Sequence, residues 1–258
     1  MKVTVCQLRN THPELEQDWR GLVEHVCIEA SDLVLLPEMP FYPWLPAQKP
    51  GDFGRWSAAV AAHDAWMPRL AELNASLVVG TRPVVVAAKR YNQGFVWTAD
   101  ARYQAVHTKA YLPDEPFFWE VSWYHRGPNR FDAVDTHWGR MGFLICTELW
   151  FGQHARSYGR QGVDVIVSPR ATPATSTSKW VAGGRTAAVV SGAYSLSSNL
   201  VGTIGPGVAF GGAGWIIEPE EGDVVGLTTE GRPFLTLEID RSIAQKAKTT
   251  YPRYVEGS

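Results

Sequence analysis

The chain has 258 residues, a formal net charge of −2, 45% hydrophobic and 19% charged residues. That is the composition of an ordinary globular protein, long enough to bury roughly 70–75% of its unfolded surface on folding. There is no basic excess, no long charge block and no run approaching the ~18 apolar residues of a membrane span, which excludes nucleic-acid and membrane partners from the expectation. Cys6, Cys27 and Cys146 are the three cysteines, and none forms a CxxC. They speak against a disulfide framework or a zinc cluster and fit a reducing cytoplasm. The chain opens directly on a strand-like run without the pattern of a signal peptide.

In chain order, residues 2–7 predict a first strand and residues 14–30 an amphipathic helix, with Leu15, Trp19, Leu22, Val23, Val26 and Cys27 near helical spacing. Residues 32–37 read as a buried strand ended by Pro37, with Glu38 immediately after it. Residues 39–53 are rich in proline and aromatics and form a loop. Residues 55–73 predict a second helix, irregular near Pro68. Residues 76–81 form a strand, and 93–98 and 101–107 pair about the turn Ala99-Asp100. Lys109 follows in a loop, and 117–126 is an aromatic segment ending near Gly127-Pro128.

Residues 131–135 predict a strand, His137-Trp138-Gly139 a turn, and 140–146 a buried strand that carries Cys146 at its end. A helix over 151–161, a strand over 163–168, and a helix over 177–190, despite Gly183-Gly184, come next. Residues 193–199 form a strand and 206–214 a glycine-rich loop. That loop lacks the GxGxxG spacing and the strand-to-helix setting of a phosphate loop. Late strands over 215–218, 223–226 and 233–238 precede a helix over 240–248 with Asp240 as N-cap. No repeat or linker interrupts 1–258, so one domain of two sheets with helices outside is expected.

Glu38, Lys109 and Cys146 each stand at a strand end, where layered α/β folds build their sites. Separately they read as a surface carboxylate, a solvated cation and a core thiol. Together they are chemically complete: the carboxylate takes the thiol proton, and the ammonium favours thiolate and stabilises an oxyanion.

The chain resembles the nitrilase superfamily of carbon–nitrogen hydrolases along nearly its whole length. Residues 32–38 resemble the family strand ending in Pro-Glu, Thr108 to Pro113 its lysine motif, and Gly142 to Glu148 its cysteine elbow. Further matches are Gln7, Asn92 to Gly94, Arg185, Asn199, and Gly211 to Pro219 leading to Asp223. The resemblance implies a four-layer αββα sandwich of two mixed sheets, a Glu-Lys-Cys triad, no cofactor or metal, and a homodimer formed through the helices after Cys146 and Pro173. It also implies a second glutamate beside the lysine; Glu120 has the spacing and Glu115 is the rival. The backbone N–H of Thr147 would assist the oxyanion.

Departures bear on the branch. The late helix carries Arg185 without the Glu and Asn that follow it in many members, and Thr147-Glu148 follows the cysteine. Glu148 matches the Cys-x-Glu of nitrilases, whereas the lysine segment is more similar to the amidase and carbamoylase branches. A small amide or carbamoyl substrate is expected, with a nitrile, or a silent binding protein of the same fold, as alternatives. Arg170 is a candidate for a substrate carboxylate, and Tyr42, Trp44, Trp119, Trp123 and Trp150 are candidates for the pocket wall. His154 would serve in a Cys-His dyad, but stands eight residues along the next helix.

Overall fold

The computed structural model describes residues 1–255, so residues 256–258 of the expected domain lie outside the described residues. In chain order the first elements are β1 (Lys2–Leu8), α1 (Glu14–Glu29), β2 (Leu33–Leu35), α2 (Phe53–Trp66), β3 (Leu77–Val86), β4 (Lys89–Thr98) and β5 (Arg102–Thr108). A small hairpin, β6 (Asp114–Glu115) and β7 (Phe118–Trp119), leads into the single turn α3 (Glu120–Trp123). Then come β8 (Val134–Thr136), β9 (Gly139–Phe143), α4 (Gly152–Arg160), β10 (Val165–Arg170), α5 (Thr177–Ser191) and β11 (Tyr194–Gly205). The last are β12 (Val208–Gly211), β13 (Trp215–Ile217), β14 (Val224–Leu227), β15 (Phe234–Glu238) and α6 (Arg241–Ala247).

Two mixed sheets result. One runs β5-β4-β3-β2-β1-β15, with β1, β2 and β3 parallel. The other runs β8-β9-β10-β11-β13-β14, with β9, β10 and β11 parallel. They join where the end of β1 pairs with the middle of β11, Gln7 with Asn199 and Leu8 with Leu200. Strand alternation assigns the layers. Val3, Val5, Leu33, Leu35, Met141, Phe143, Val165 and Val167 meet between the sheets. Their neighbours Cys6, Val34 and Leu36 pack outward on α1, and Leu144, Ile145 and Ile166 pack against α4 and α5. The architecture is the αββα sandwich. No helix among the described residues is long and apolar enough to cross a membrane.

The structure departs from the sequence expectation in places. β3 and β4 run past Thr81 and start before Gln93, joined by Ala87 and Ala88 at φ 48° and 60°. This outer half leaves the sandwich, with Val85 and Val86 exposed, and in the sequence Pro83 reads as a break. The glycine-rich segment folds back as β12 on β11. Its Gly211 passes so close to the start of α5 that a Cβ would stand 2.7 Å from Thr177 Oγ1. Gly184 in α5 has a packing reason too: a Cβ there would lie 2.7 Å from the Trp215 ring. The parallel strands all end on one side of the molecule, and Glu38, Cys146 and Ala171 follow β2, β9 and β10 at that edge.

Candidate active site

Cys146 sits where the extended chain after β9 reverses. Ile145 is extended, Cys146 adopts φ 48°, and a 3-10 turn over Cys146–Trp150 follows. A non-glycine residue in this region costs on the order of 1–3 kcal/mol and persists only when its surroundings hold it. Below it, Tyr158 Oη accepts from Phe143 N at 3.1 Å and donates to Phe143 O at 2.9 Å. The thiol lies 4.0 Å from Ala171 O. Cys146, Thr147 and Glu120 line a cleft of about 440 Å³ whose rim carries Asp114, Glu115 and Lys179. Thr147 is the second residue of the 3-10 turn, where a backbone N–H has no partner within the turn.

Behind the thiol stands a closed charge cluster. Lys109, Glu38 and Glu120 are all fully buried. Lys109 Nζ donates to Glu38 Oε1 at 2.7 Å and to Glu120 Oε1 at 2.8 Å. Asn92 Nδ2 donates to Glu38 Oε1 at 2.7 Å, and the Tyr124 hydroxyl donates to Glu120 Oε2. Glu38 Oε2 is buried without a nitrogen or oxygen partner, which leaves it for the Cys146 thiol. Two carboxylates share one ammonium, and the pKa shifts follow. Burial raises Glu38 above the ordinary carboxylate value against the pull of Lys109, and pushes Glu120 up to about 7. Burial, and then the Glu38 charge, push the Cys146 thiol up. The resting pair is therefore a neutral thiol facing a basic carboxylate.

The structure thus brings Glu38, Lys109, Cys146 and Glu120 together, with Thr147 at the cleft. Glu115 is exposed on the rim, and the ion-pair partners of Lys109 are Glu38 and Glu120. Asn92 and Tyr124 complete the cluster. The sequence singled out Asn92 only as a motif match and Tyr124 not at all; Tyr124 stands four residues after Glu120, one helical turn on.

The pocket wall differs from expectation. Trp150 lines the cleft, and Trp180, not anticipated, packs on it at 4.9 Å between centroids. Trp44 is buried, with Nε1 donating to Phe117 O at 3.1 Å, and with Tyr42 it borders a separate small cavity. Trp123 is buried and donates to Gln48 O at 2.6 Å; Trp119 lies under Lys49 Nζ at 3.4 Å. None of these four lines the Cys146 cleft; Trp44, Tyr42 and Trp123 pack in the core cluster formed by the proline-rich loop, α2 and α3. His154 stacks on Phe131 at 3.6 Å and bonds the Tyr111 hydroxyl at 2.9 Å, so it is not a partner of the thiol.

Arg170 is also placed differently from expectation. It is 1% exposed and absent from the cleft wall. Nε donates to Ser197 Oγ at 2.6 Å, Nη1 to Thr172 Oγ1 at 2.8 Å and Nη2 to Ala213 O at 2.8 Å, while the guanidinium lies 4.0 Å from the Trp215 ring centre. Burial lowers its pKa to about 9. Arg170 ties three strand ends together. Arg170→Met is expected to lower unfolding stability by about 2–4 kcal/mol in urea titration, since it removes three buried hydrogen bonds made by a charged group. A raised KM at unchanged stability would instead mark a substrate contact.

The carbon-nitrogen hydrolase family model matches residues 2–249. Among curated proteins, the chain is 25% identical over 265 residues to an omega-amidase of Arabidopsis thaliana, covering 97% of this chain and 70% of that protein. An N-carbamoylputrescine amidase of Solanum tuberosum is 30% identical over 81 residues, which span 31% of this chain and 27% of that protein. Among solved structures, a carbon-nitrogen hydrolase from Helicobacter pylori G27 superposes with a TM-score of 0.83 at 18% identity, covering 98% of this chain and 94% of that one. With the family model spanning nearly the whole sequence, the chain belongs to the carbon–nitrogen hydrolase family.

Proposed function

We propose that this hydrolase cleaves a C–N bond of a small non-peptide amide or N-carbamoyl compound through an acyl-enzyme on Cys146. The observation that carries the reading is the free oxygen of buried Glu38, kept basic beside a thiol on a strained elbow at the cleft floor. Names of relatives, omega-amidase and N-carbamoylputrescine amidase, point to the same bond type.

In this reading Glu38 takes the thiol proton as sulfur bonds to the substrate carbon. Lys109 and the Thr147 N–H stabilise the oxyanion, each such donor being worth about 10²–10³ in rate. Glu38 returns the proton to the leaving nitrogen, which departs as ammonia or an amine. It then takes a proton from water, whose oxygen attacks the thioester carbon. The acid leaves, and the proton returns to sulfur. Glu120 and Tyr124 hold Lys109 in place. The second residue after the cysteine offers nothing specific to nitriles, since the Glu148 carboxylate is spent on Ala110 N and Ile145 N. We also propose one catalytic domain working in the cytoplasm, where Cys6, Cys27 and Cys146 stay unpaired, and self-association through α4 and α5, which pack on each other.

The test is ammonia release, with the adduct mass at Cys146, across a panel of amides, N-carbamoyl amines and nitriles. An adduct equal to substrate minus ammonia or amine is expected; turnover with Cys146 blocked would end the reading. The pH profile is a second check. Glu38 must be ionised to act as base, and its raised pKa means it binds a proton at higher pH than an ordinary carboxylate. Activity should therefore fall, as pH drops, at a pH above that of an ordinary glutamate. Glu120→Gln removes the second negative charge on Lys109, and the acid limb of kcat/KM should move to lower pH. An unmoved limb would show that the two carboxylates do not communicate.

A further inference from the structure

Glu148 is fully buried, yet stands outside the Glu38–Lys109 cluster. Its carboxylate is saturated from three directions. Oε1 accepts from Ala110 N at 2.6 Å, and Oε2 accepts from Ile145 N at 2.8 Å. His107 Nε2 lies 3.1 Å from Oε1 and 2.8 Å from Oε2. Ala110 immediately follows Lys109, and Ile145 immediately precedes Cys146. One side chain therefore ties the residue after the ammonium to the residue before the nucleophile. His107 lies two residues before Lys109 on the same strand path, and Phe131 backs its ring at 5.0 Å between centroids.

We propose that Glu148, oriented by His107, is a positioning residue that fixes the Cys146 thiol relative to Lys109 and Glu38. It rests on the catalytic roles proposed above. A buried carboxylate is costly unless its oxygens are hydrogen-bonded, and here three donors offset that cost. In return both backbone segments are held from a single point. The turn at Cys146 has φ 48° and relaxes toward ordinary geometry unless the flanking residues are pinned. The two carboxylate oxygens both accept, one from each backbone segment. An amide in its place turns an N–H toward one of the two backbone donors, and that segment is released. Displacing a reacting group by about 1 Å costs on the order of 10²-fold in rate.

The three cysteines make the experiment self-controlled. Cys146 is the nucleophile, Cys27 is exposed, and Cys6 is fully buried with its pKa pushed up to about 12 by that burial. The full chain is treated with iodoacetamide, itself a small amide, and alkylation is followed by mass at each cysteine. In Glu148→Gln, Cys146 should react about 10²-fold more slowly relative to Cys27, with Cys6 still protected. His107→Phe should slow Cys146 in the same direction, and His107→Gln, whose amide can donate to the carboxylate, should restore most of the rate. An unchanged or faster Cys146 in Glu148→Gln, with Cys6 protected, overturns the proposal. If Glu148→Gln opens the core and Cys6 becomes labelled, His107→Phe decides: an unaltered Cys146 rate there overturns the proposal, and a drop reversed by His107→Gln supports it. Failure of the underlying catalytic reading looks different, because Cys146 of the unaltered protein would then react no faster than Cys27.

Discussion

Cys146→Ala and Glu38→Gln are each expected to lower turnover by at least about 10⁴-fold while the protein stays folded. The two residues form one proton-transfer unit, so the double variant should be little worse than either single one. Alanine keeps the elbow and removes only the sulfur. Glutamine retains an oxygen for Lys109 Nζ, which stands 2.7 Å from Glu38 Oε1, but it cannot accept and return a proton. Burial makes this distinction sharp. The thiol pKa is pushed up, so Cys146 does not ionise by itself and depends on the carboxylate beside it. Single-turnover assays alongside circular dichroism check both variants. Retention of about a tenth of the activity in either would remove the residue from the mechanism.

Lys109→Met should lose activity and stability together. Methionine fills similar space but carries no charge, so Glu38 and Glu120 are left buried without their shared cation. Breaking a buried ion pair in this way costs about 3–5 kcal/mol at neutral pH. The sign with pH follows from the direction of the shifts. Both carboxyls already have raised pKa values in the folded protein, Glu120 at about 7, and losing Lys109 raises them further. A raised folded-state pKa favours folding below the unfolded value of 4.5 and becomes a penalty as pH climbs through the folded value. The stability deficit of Lys109→Met should therefore be small in acid and largest at neutral pH and above. Urea titrations at acid and at neutral pH measure it. An equal deficit in both would mean that Lys109 contributes packing and not charge.

The sequence alone determined the layered α/β order and singled out Glu38, Lys109 and Cys146 as the residues to bring together. Strands such as 32–36, 141–145 and 163–167 are buried on both faces, so their continuous apolar runs announce themselves. Glu38 and Cys146 are marked by position along the chain, just after such a run, and Lys109 by its place after the half-exposed strand 102–108. The family resemblance also favoured Glu120 over Glu115, and the fold exposes the latter on the rim.

The tertiary structure decided which side chains meet. Asn92 reaches Glu38 across 54 residues, and His107 reaches Glu148 across 41. In the structure Arg170, Trp44 and Trp123 make internal hydrogen bonds and do not line the Cys146 cleft. Glu148, first read as a branch marker, became the tie between the lysine and cysteine segments. Periodicity along a strand states only which face a residue occupies. A buried polar atom must find a partner wherever the fold brings one within about 3 Å, and that partner is set by sheet pairing and loop closure far away in the chain.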